Sequence, residues 1–143
     1  MKQSEIENEI TKLLSWGADT EFKQGMENDF TRALESMVIN YGDLSIEMLK
    51  EAIKQRDIKE ELISEIAQYL GIITDEKTHF KRRLLLVDLL KSPSNIIRYG
   101  AVIGLECLDD PEAIPDIKAA AKRENFQPLK TEMKEIAKSI RET

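Results

Sequence analysis

Apolar side chains recur every three or four residues along most of the chain, and polar residues fill the positions between them. This spacing predicts amphipathic helices, because residues i, i+3, i+4 and i+7 share one face of an α-helix. No segment alternates apolar and polar residues with a period of two, so we expect no sheet. The chain is therefore predicted to be all-α, with helices at about residues 3–16, 28–41, 45–55, 59–70, 78–90, 95–108, 111–124 and 128–141.

Glycine marks the ends of several of these segments. Gly17 is predicted to end the first helix, and residues 17–27 are expected to form a connector. Gly42 is a stop signal for the second helix, and the third begins after Asp43 or Ser45. Residues 78–90 carry apolar side chains on most sides of their helix, which predicts that this helix is the most buried one.

The ends of three predicted helices share one pattern, in which two apolar residues precede an aspartate. Corresponding residues are spaced by 32 and then by 35, and apolar residues in the helices that follow are spaced by 34 and 34. Internal periods of this length are typical of helical repeat proteins. The matched positions are Val38, Tyr41 and Asp43; Leu70, Ile73 and Asp75; Leu105, Leu108 and Asp110; and, in the following helices, Ile46, Phe80 and Ile114.

Each repeat unit is thus a helix, a tight turn with an acidic residue, and a second helix. Three units cover residues 28–55, 59–90 and 94–124, and the helix at residues 128–141 caps them. One unit cannot bury both of its apolar faces, so stacking of the units would form the core. Residues 1–143 are expected to be a single domain. An irregular helical bundle with chance spacing is the alternative.

The third unit resembles a HEAT repeat, with the short Asp-Pro-x-Ala-Ile-Pro turn that is typical of small bacterial HEAT-like proteins. The resemblance covers about residues 28–124 and implies a short right-handed α-solenoid of helical hairpins, with about seven or eight helices. The first two units match less closely, because Glu76 and Lys77 stand where the turn proline would be. The likeness is carried by Ile97-Arg98, Ala101, Gly104-Leu105, Leu108, Asp110-Pro111, Ala113-Ile114-Pro115 and Ile117.

Two further segments, residues 22–30 and 69–75, resemble small bacterial proteins of this build. Arg98 stands at the position of an arginine that is typical of HEAT repeats, and the resemblance implies that it forms an ion pair between neighbouring repeats. The resemblance implies a fold and no particular activity, because one fold hosts many functions.

The chain carries a formal net charge of −6. An acidic balance repels nucleic acid and anionic membranes, and it favours a basic partner. Residues 1–10 lack the apolar core of a signal peptide, and no apolar run is long enough to span a membrane, so we expect a cytoplasmic protein. Cys107 is the single cysteine, which excludes an intramolecular disulfide, and its apolar neighbours predict a core position.

Few residues suggest chemistry. His79 is the only histidine, has no cysteine or histidine companion for a metal, and is predicted to be a solvated surface residue. The aspartates recur with the repeat, which favours helix caps over a catalytic pair of Asp109 and Asp110. Gly100 and Gly104 lie within a predicted helix and are expected to permit close helix packing. We therefore expect no catalytic residue, no metal and no cofactor. The recurring aspartates are Asp43, Asp75, Asp109 and Asp110.

A partner-binding surface is predicted on the second helices of the units. If Ile46, Phe80 and Ile114 point inward, the opposite face carries charges of both signs, which suits specific docking of a protein. Trp16 lies beside the predicted connector and is either a binding anchor or a side chain that folds back on the first unit. The predicted surface residues are Glu47, Glu51, Lys54, Lys81, Arg82, Asp88, Asp116 and Lys122.

These features favour a non-catalytic module that binds another protein. A bacterial immunity or antitoxin-type inhibitor, which would mask a basic toxin, is the more specific form of this hypothesis. A scaffold or adaptor subunit of a larger complex is one alternative. A HEAT-like nucleic-acid-processing enzyme is another, because basic residues cluster near position 80 and could contact phosphates, but the acidic balance argues against nucleic acid. The basic residues are Lys77, Lys81, Arg82 and Arg83.

Overall fold

A computed structural model describes residues 2–19 and 24–140, with side chains for residues 2–15 and 29–140. Over this part of the chain the protein is all-α, as predicted, and no strand is present there. The described residues form eight α-helices, and a short 3₁₀ turn precedes the fifth and the seventh of them. The helices are α1 (Lys2–Asp19), α2 (Gln24–Tyr41), α3 (Asp43–Gln55), α4 (Glu60–Ile72), α5 (His79–Leu89), α6 (Asn95–Leu108), α7 (Ile114–Arg123) and α8 (Gln127–Ser139), and the 3₁₀ turns are Glu76–Thr78 and Pro111–Ala113.

The helices contact one another in two rows. In one row α2 contacts α4, α4 packs against α6 along the most extensive contact of the fold, and α6 contacts α8. In the other row α1 contacts α3, and α3 contacts α5. Stacked helical hairpins would produce this order of contacts. The right-handed solenoid itself stays a prediction.

Glycines allow the backbones of α4 and α6 to approach closely. A methyl group added at Gly104 would meet the carbonyl of Ala67, and one added at Gly100 would meet the backbone of Ser64. Gly71 of α4 lies against the backbone of Gly104 in the same way. The prediction that Gly100 and Gly104 permit close packing is therefore confirmed. An alanine at either position would force the two helices apart.

The core runs through every helix, because each one turns an apolar stripe inward. Burial of one large aliphatic side chain contributes about 1.5–3 kcal/mol to stability. The positions spaced by three and four residues in the sequence are the buried ones in α1, α4 and α8, and those of α2 and α3 are buried except for the partly buried Tyr41 and Ile53. Representative fully buried residues are Ile6, Ile10, Leu34, Val38, Ile46, Leu49, Ile66, Leu70, Leu105, Ile117, Met133 and Ile136.

The N-terminal boundary predictions were wrong. Helix α1 continues through Gly17 to Asp19, and α2 already begins at Gln24, so residues 17–19 and 24–27 of the predicted connector are helical. A single glycine within a helix costs only about 1 kcal/mol, and the rest of the segment can outweigh that cost. Residues 20–23 lie outside the described part of the chain.

Two predictions about burial were also wrong. Helix α5 is not the most buried helix, because Phe80 and Leu84 are exposed on it, whereas α4 buries more of its residues. Cys107 is exposed rather than in the core. The inward stripe of α6 passes through Ala101 and Leu105, and Cys107 lies about 200° around the helix from Leu105, since successive residues turn by about 100°.

The recurring aspartates do not share one role. The N-cap of α3 is Gly42, with φ of 64°, and Asp43 lies within the helix. The Asp75 carboxylate accepts a bond from the Thr78 hydroxyl at 2.9 Å instead of capping a backbone N–H. Only the Asp110 carboxylate caps as predicted, by accepting the backbone N–H of Glu112 at 3.0 Å. A helix cap by an aspartate carboxylate was predicted at all three turns, and it occurs at one of them.

None of the helices in the described residues is both long enough and apolar enough to cross a membrane.

Candidate functional site

Helix α5 is oriented by a buried arginine. Arg82 is only 1% exposed, although its charge suggested a place on the partner-binding surface. It lies on the same helix face as three leucines, at i+3, i+4 and i+7, which together form the buried stripe of α5. The prediction that Arg82 is a surface residue is therefore wrong. The three leucines are Leu85, Leu86 and Leu89.

The Arg82 guanidinium is held by the end of α4 and the turn that follows it. It donates to the backbone carbonyls of Leu70 at 2.7 Å, Ile73 at 2.6 Å and Asp75 at 2.7 Å. Its Nε donates to the hydroxyl of Thr78 at 3.0 Å. Carbonyls at a helix C-terminus lack partners within the helix and carry partial negative charge, which explains why a cation is stable there. Burial lowers the pKa of Arg82, and the nearby carboxylates only partly oppose this effect.

The inward position of Arg82 turns Phe80 and Leu84 outward. Phe80 is 57% exposed and Leu84 is 43% exposed, and they stand four residues apart on the same face of α5. The predicted inward register of Ile46, Phe80 and Ile114 is therefore wrong at Phe80, while the two isoleucines are buried.

Phe80 is held in place although it is exposed. The Arg83 guanidinium lies over its ring, 5.2 Å from the centroid, which is a favourable cation–π distance. The Arg83 side chain is only 11% exposed, and it donates to the carboxylates of Asp110 at 3.1 Å and of Glu112. The turn before α7 therefore fixes Arg83, and Arg83 in turn supports the ring of Phe80.

Asp110 joins this cluster to His79. Its carboxylate lies 2.9 Å from His79 Nε2, so His79 is not the purely solvated residue that the sequence predicted. Partial burial raises the pKa of Asp110. The hydrogen bonds from the Glu112 N–H and His79, with the charges of Arg83 and His79, outweigh that effect and hold the pKa below its ordinary value. Asp110 is therefore an ionised anchor that binds α5 to the next turn.

Ion pairs connect the outer side of α5 to α3. Lys81 donates to Glu47 at 2.8 Å, and Lys54 lies 4.0 Å from Asp88. The hydrogen bond with Lys81 lowers the pKa of the Glu47 carboxyl, and the same bond raises the pKa of Lys81. Both pairs join residues that the sequence placed on the partner-binding surface.

We use the name α3–α5 face for the outward surface of these two helices. It contains a groove of about 300 Å³, which has an apolar floor and charged walls. Phe80 stands one turn before Leu84 on the same side of α5. The residues of the face are Glu47, Lys50, Glu51, Lys54, Phe80, Lys81, Leu84 and Asp88, and Ile46 and Leu85 lie at the floor of the groove.

The structure thus brings together Glu47, Glu51, Lys81 and Asp88 of the predicted surface. Asp116 and Lys122 are exposed on α7, which is not one of the two helices of the α3–α5 face. The side chain of Trp16 lies outside the described residues.

Sequence reasoning missed Phe80 and Leu84 as surface residues. Leucine or valine fills every position from 84 to 87, so the apolar spacing fits two opposite stripes equally well. Arg82 distinguishes the two stripes, because it lies on the inward one. Arginine is almost never fully buried unless it has a partner, so the sequence alone favoured the opposite stripe as the inward one.

Arg98 has a structural role that differs from its predicted one. It forms a two-point pair with Glu124, at 2.7 Å from Nε and 2.9 Å from an Nη atom, and it donates to the carbonyl of Ser92 at 2.9 Å. Glu124 lies within the predicted third unit and Ser92 just before it, so the ion pair of Arg98 does not join two predicted units as the HEAT-like resemblance implied. The Glu124 side chain is 1% exposed. The bond from Arg98 outweighs burial and lowers the pKa of Glu124.

No group of three or more metal-ligating side chains occurs in the part of the chain that the structure describes. Asp109, the other half of the suggested carboxylate pair, caps the end of α6 in a left-handed conformation with φ of 53°. Comparisons with protein-family models, with curated proteins and with solved structures give no match for this chain.

Proposed function

We propose that this chain is a non-catalytic protein-binding module that docks its partner on the α3–α5 face. The observation that carries the proposal is the exposed ring of Phe80, which Arg83 holds in a fixed position beside Leu84. An exposed aromatic residue that is already immobilised loses little conformational entropy when a partner covers it.

The composition of the face supports this proposal. Aromatic residues and arginine dominate the energetics of protein interfaces, usually from the centre of a patch that a polar rim surrounds. Phe80 and Leu84 would supply the apolar centre, and covering the exposed part of each would contribute about 1–2 kcal/mol. The surrounding ion pairs, Lys81–Glu47 and Lys54–Asp88, would supply the rim.

The rim would contribute specificity more than affinity. Exposed ion pairs contribute only about 0–1 kcal/mol each. Their arrangement of charge nevertheless selects a partner with the complementary pattern and speeds its association. In the narrower form of the proposal, the partner is a toxin with a basic surface and the chain is its inhibitor. The net charge of −6 supports this form, because it attracts a basic protein over long distances.

Affinity capture with matched variants tests the proposal. The immobilised chain, the double variant F80S/L84S and the control Y99S are each incubated with lysate of the source organism, and bound proteins are measured by quantitative mass spectrometry. Tyr99 is a suitable control because it is similarly exposed but lies on α6. We expect at least one protein to be captured by the wild type and Y99S and to be reduced at least about tenfold with F80S/L84S. Full capture of every bound protein by F80S/L84S would overturn the proposal.

A further inference from the structure

A second groove lies on the other side of α3, between α3 and α1. It has a volume of about 390 Å³ and shares Glu47 and Glu51 with the α3–α5 face. These two glutamates stand one helical turn apart and therefore form a ridge between the two grooves. The groove is lined by Gln3, Glu7, Leu44, Glu47, Met48, Glu51, Ala52, Gln55 and Arg56.

The floor of this groove is apolar. Leu44, Met48 and Ala52 follow one another at intervals of four residues and so form one stripe along α3. Leu44 and Met48 are half-buried and packed against the core, so their outer surfaces remain available. Aliphatic side chains of a partner could lie along this stripe.

The walls of the groove are acidic. Three carboxylates, of Glu7, Glu47 and Glu51, face one guanidinium, that of Arg56, which leaves two negative charges among the lining residues. The Arg56 guanidinium is already engaged, because it donates to Glu7 at 2.6 Å and to the Thr11 hydroxyl at 3.1 Å.

The glutamates keep room for a further donor. Glu47 accepts one bond from Lys81, and Glu51 accepts one from Gln55 at 3.0 Å. Each ionised carboxylate offers about four acceptor positions, so both can accept another hydrogen bond. Glu7 and Glu47 have side chains that are 57% exposed, so a cation from solution can reach them.

We propose that the α1–α3 groove binds a basic amphipathic segment of the partner, with its aliphatic stems on Leu44 and Met48 and its lysine or arginine cations at Glu7, Glu47 and Glu51. This inference rests on the proposed function, and it specifies the chemistry of the partner. A lysine or arginine side chain suits the groove because it combines an apolar stem with a charged tip. A helical segment would present such residues at the same four-residue interval as the floor.

A defined peptide pair tests this inference. A fluorescent amphipathic peptide of leucine and lysine is titrated with the protein at low salt, and fluorescence anisotropy is measured; the matched peptide replaces every lysine with glutamate. We expect the lysine peptide to bind and the glutamate peptide not to bind. Neutralisation in the variant E47Q/E51Q should weaken binding about threefold to tenfold, because exposed ion pairs are individually weak.

Two further variants make the result specific. E132Q/E135Q removes the same charge from exposed positions on α8 and should bind the lysine peptide as tightly as the wild type. Met48→Lys places a cation of the chain itself in the groove and should weaken binding more than E47Q/E51Q does. Circular dichroism verifies that each variant is folded. The inference would be overturned if E132Q/E135Q lost as much binding of the lysine peptide as E47Q/E51Q does, or if E47Q/E51Q bound it as tightly as the wild type.

The outcomes separate the inference from the proposed function. If F80S/L84S loses its captured partner but E47Q/E51Q still binds the lysine peptide like the wild type, the groove proposal fails and the binding module stands. If F80S/L84S captures every protein that the wild type captures, the proposed function fails, whether or not the lysine peptide binds. A dimer in sedimentation experiments that E47Q/E51Q abolishes would assign the groove to a second copy of the chain and overturn the basic-partner proposal.

Discussion

The turn before α5 and the turn before α7 occupy corresponding places in the chain, 35 residues apart, but different chemistry holds each of them. At the first turn, the buried side chain of Arg82 from α5 donates to backbone carbonyls, including that of Asp75. In the second turn, the Asp110 carboxylate itself binds His79, Arg83 and a backbone N–H.

The two turns therefore have separate tasks. The contacts of the first turn lie within one helical pair and fix the rotation of α5. The contacts of the second turn reach back to α5 and hold Arg83, which lies over Phe80. The first turn therefore determines which side of α5 faces outward, and the second turn rigidifies what that side presents.

The largest expected loss of stability comes from breaking the contacts of the first turn. Arg82→Met removes the bonds to three carbonyls and leaves the buried carbonyls of Leu70 and Ile73 without this donor, so we expect the free energy of unfolding to fall by about 3–5 kcal/mol. The Asp75 carbonyl still accepts from the Thr78 N–H. Chemical denaturation monitored by circular dichroism measures this change. The neighbouring variant Arg83→Met is the matched control, and its loss should be only about 1 kcal/mol, because Glu112 is exposed and Asp110 keeps its bonds to His79 and a backbone N–H. Equal losses in the two variants would remove the distinction between the two turns.

A smaller difference in the free energy of unfolding is expected between variants of the two aspartates, Asp75 and Asp110. Asp110→Ala loses a helix cap and its bonds to His79 and Arg83, for a combined loss of about 2 kcal/mol in unfolding free energy. Asp75→Ala loses the bond to the Thr78 hydroxyl and the charge attraction between its carboxylate and Arg82, for about 1 kcal/mol, while the Asp75 backbone carbonyl that Arg82 binds remains. The same denaturation measurement compares them. A larger loss in Asp75→Ala would mean that both turns depend on their carboxylates.

Acid should weaken the second turn selectively. The pKa of Asp110 in the folded protein lies below its ordinary value of 3.8, so the unfolded chain takes up this proton first as the pH falls. The stability that Asp110 contributes is complete above pH 3.8 and is lost as the pH falls through the lowered folded value. Backbone carbonyls do not titrate in this range, so the bonds of Arg82 remain.

Urea denaturation at a series of pH values from 7 to about 2 tests whether the free energy of unfolding falls in this way. The variant D110N should be less stable at pH 7 but should lose less stability on acidification than the wild type does. Part of the acid dependence should remain in D110N, because the pKa of Glu124 is also lowered, from an ordinary value of 4.5. Parallel curves for the wild type and D110N would contradict the role assigned to Asp110.

The smallest effect on stability is expected on the outer side of α5. Phe80→Ser removes an exposed ring and its contact with Arg83, so the unfolding free energy should change by less than about 1 kcal/mol. The measured thermal midpoint should therefore stay close to that of the wild type. A large drop would show that Phe80 is a structural residue, and the α3–α5 face would lose its proposed anchor.

The sequence alone determined the class of the fold. Its spacing of apolar residues predicted helices and correctly placed the inward sides of α3, α4 and α8, because side chains of an isolated amphipathic helix already define one apolar face. It also predicted the close packing at Gly100 and Gly104 and the cap at Asp110, since each depends on a residue type with a specific local property. The exposed positions of Glu47 and Glu51 followed from the same pattern.

Only the tertiary structure decided how α5 is rotated. Its run of leucines supports two opposite stripes, and the choice depends on where the guanidinium of Arg82 can find acceptors. Those acceptors are carbonyls at the end of α4 and in the next turn, and they come within reach only when α4 and α5 pack together. Sequence periodicity describes one helix at a time, whereas the bonds that turn Phe80 and Leu84 outward belong to a pair of helices.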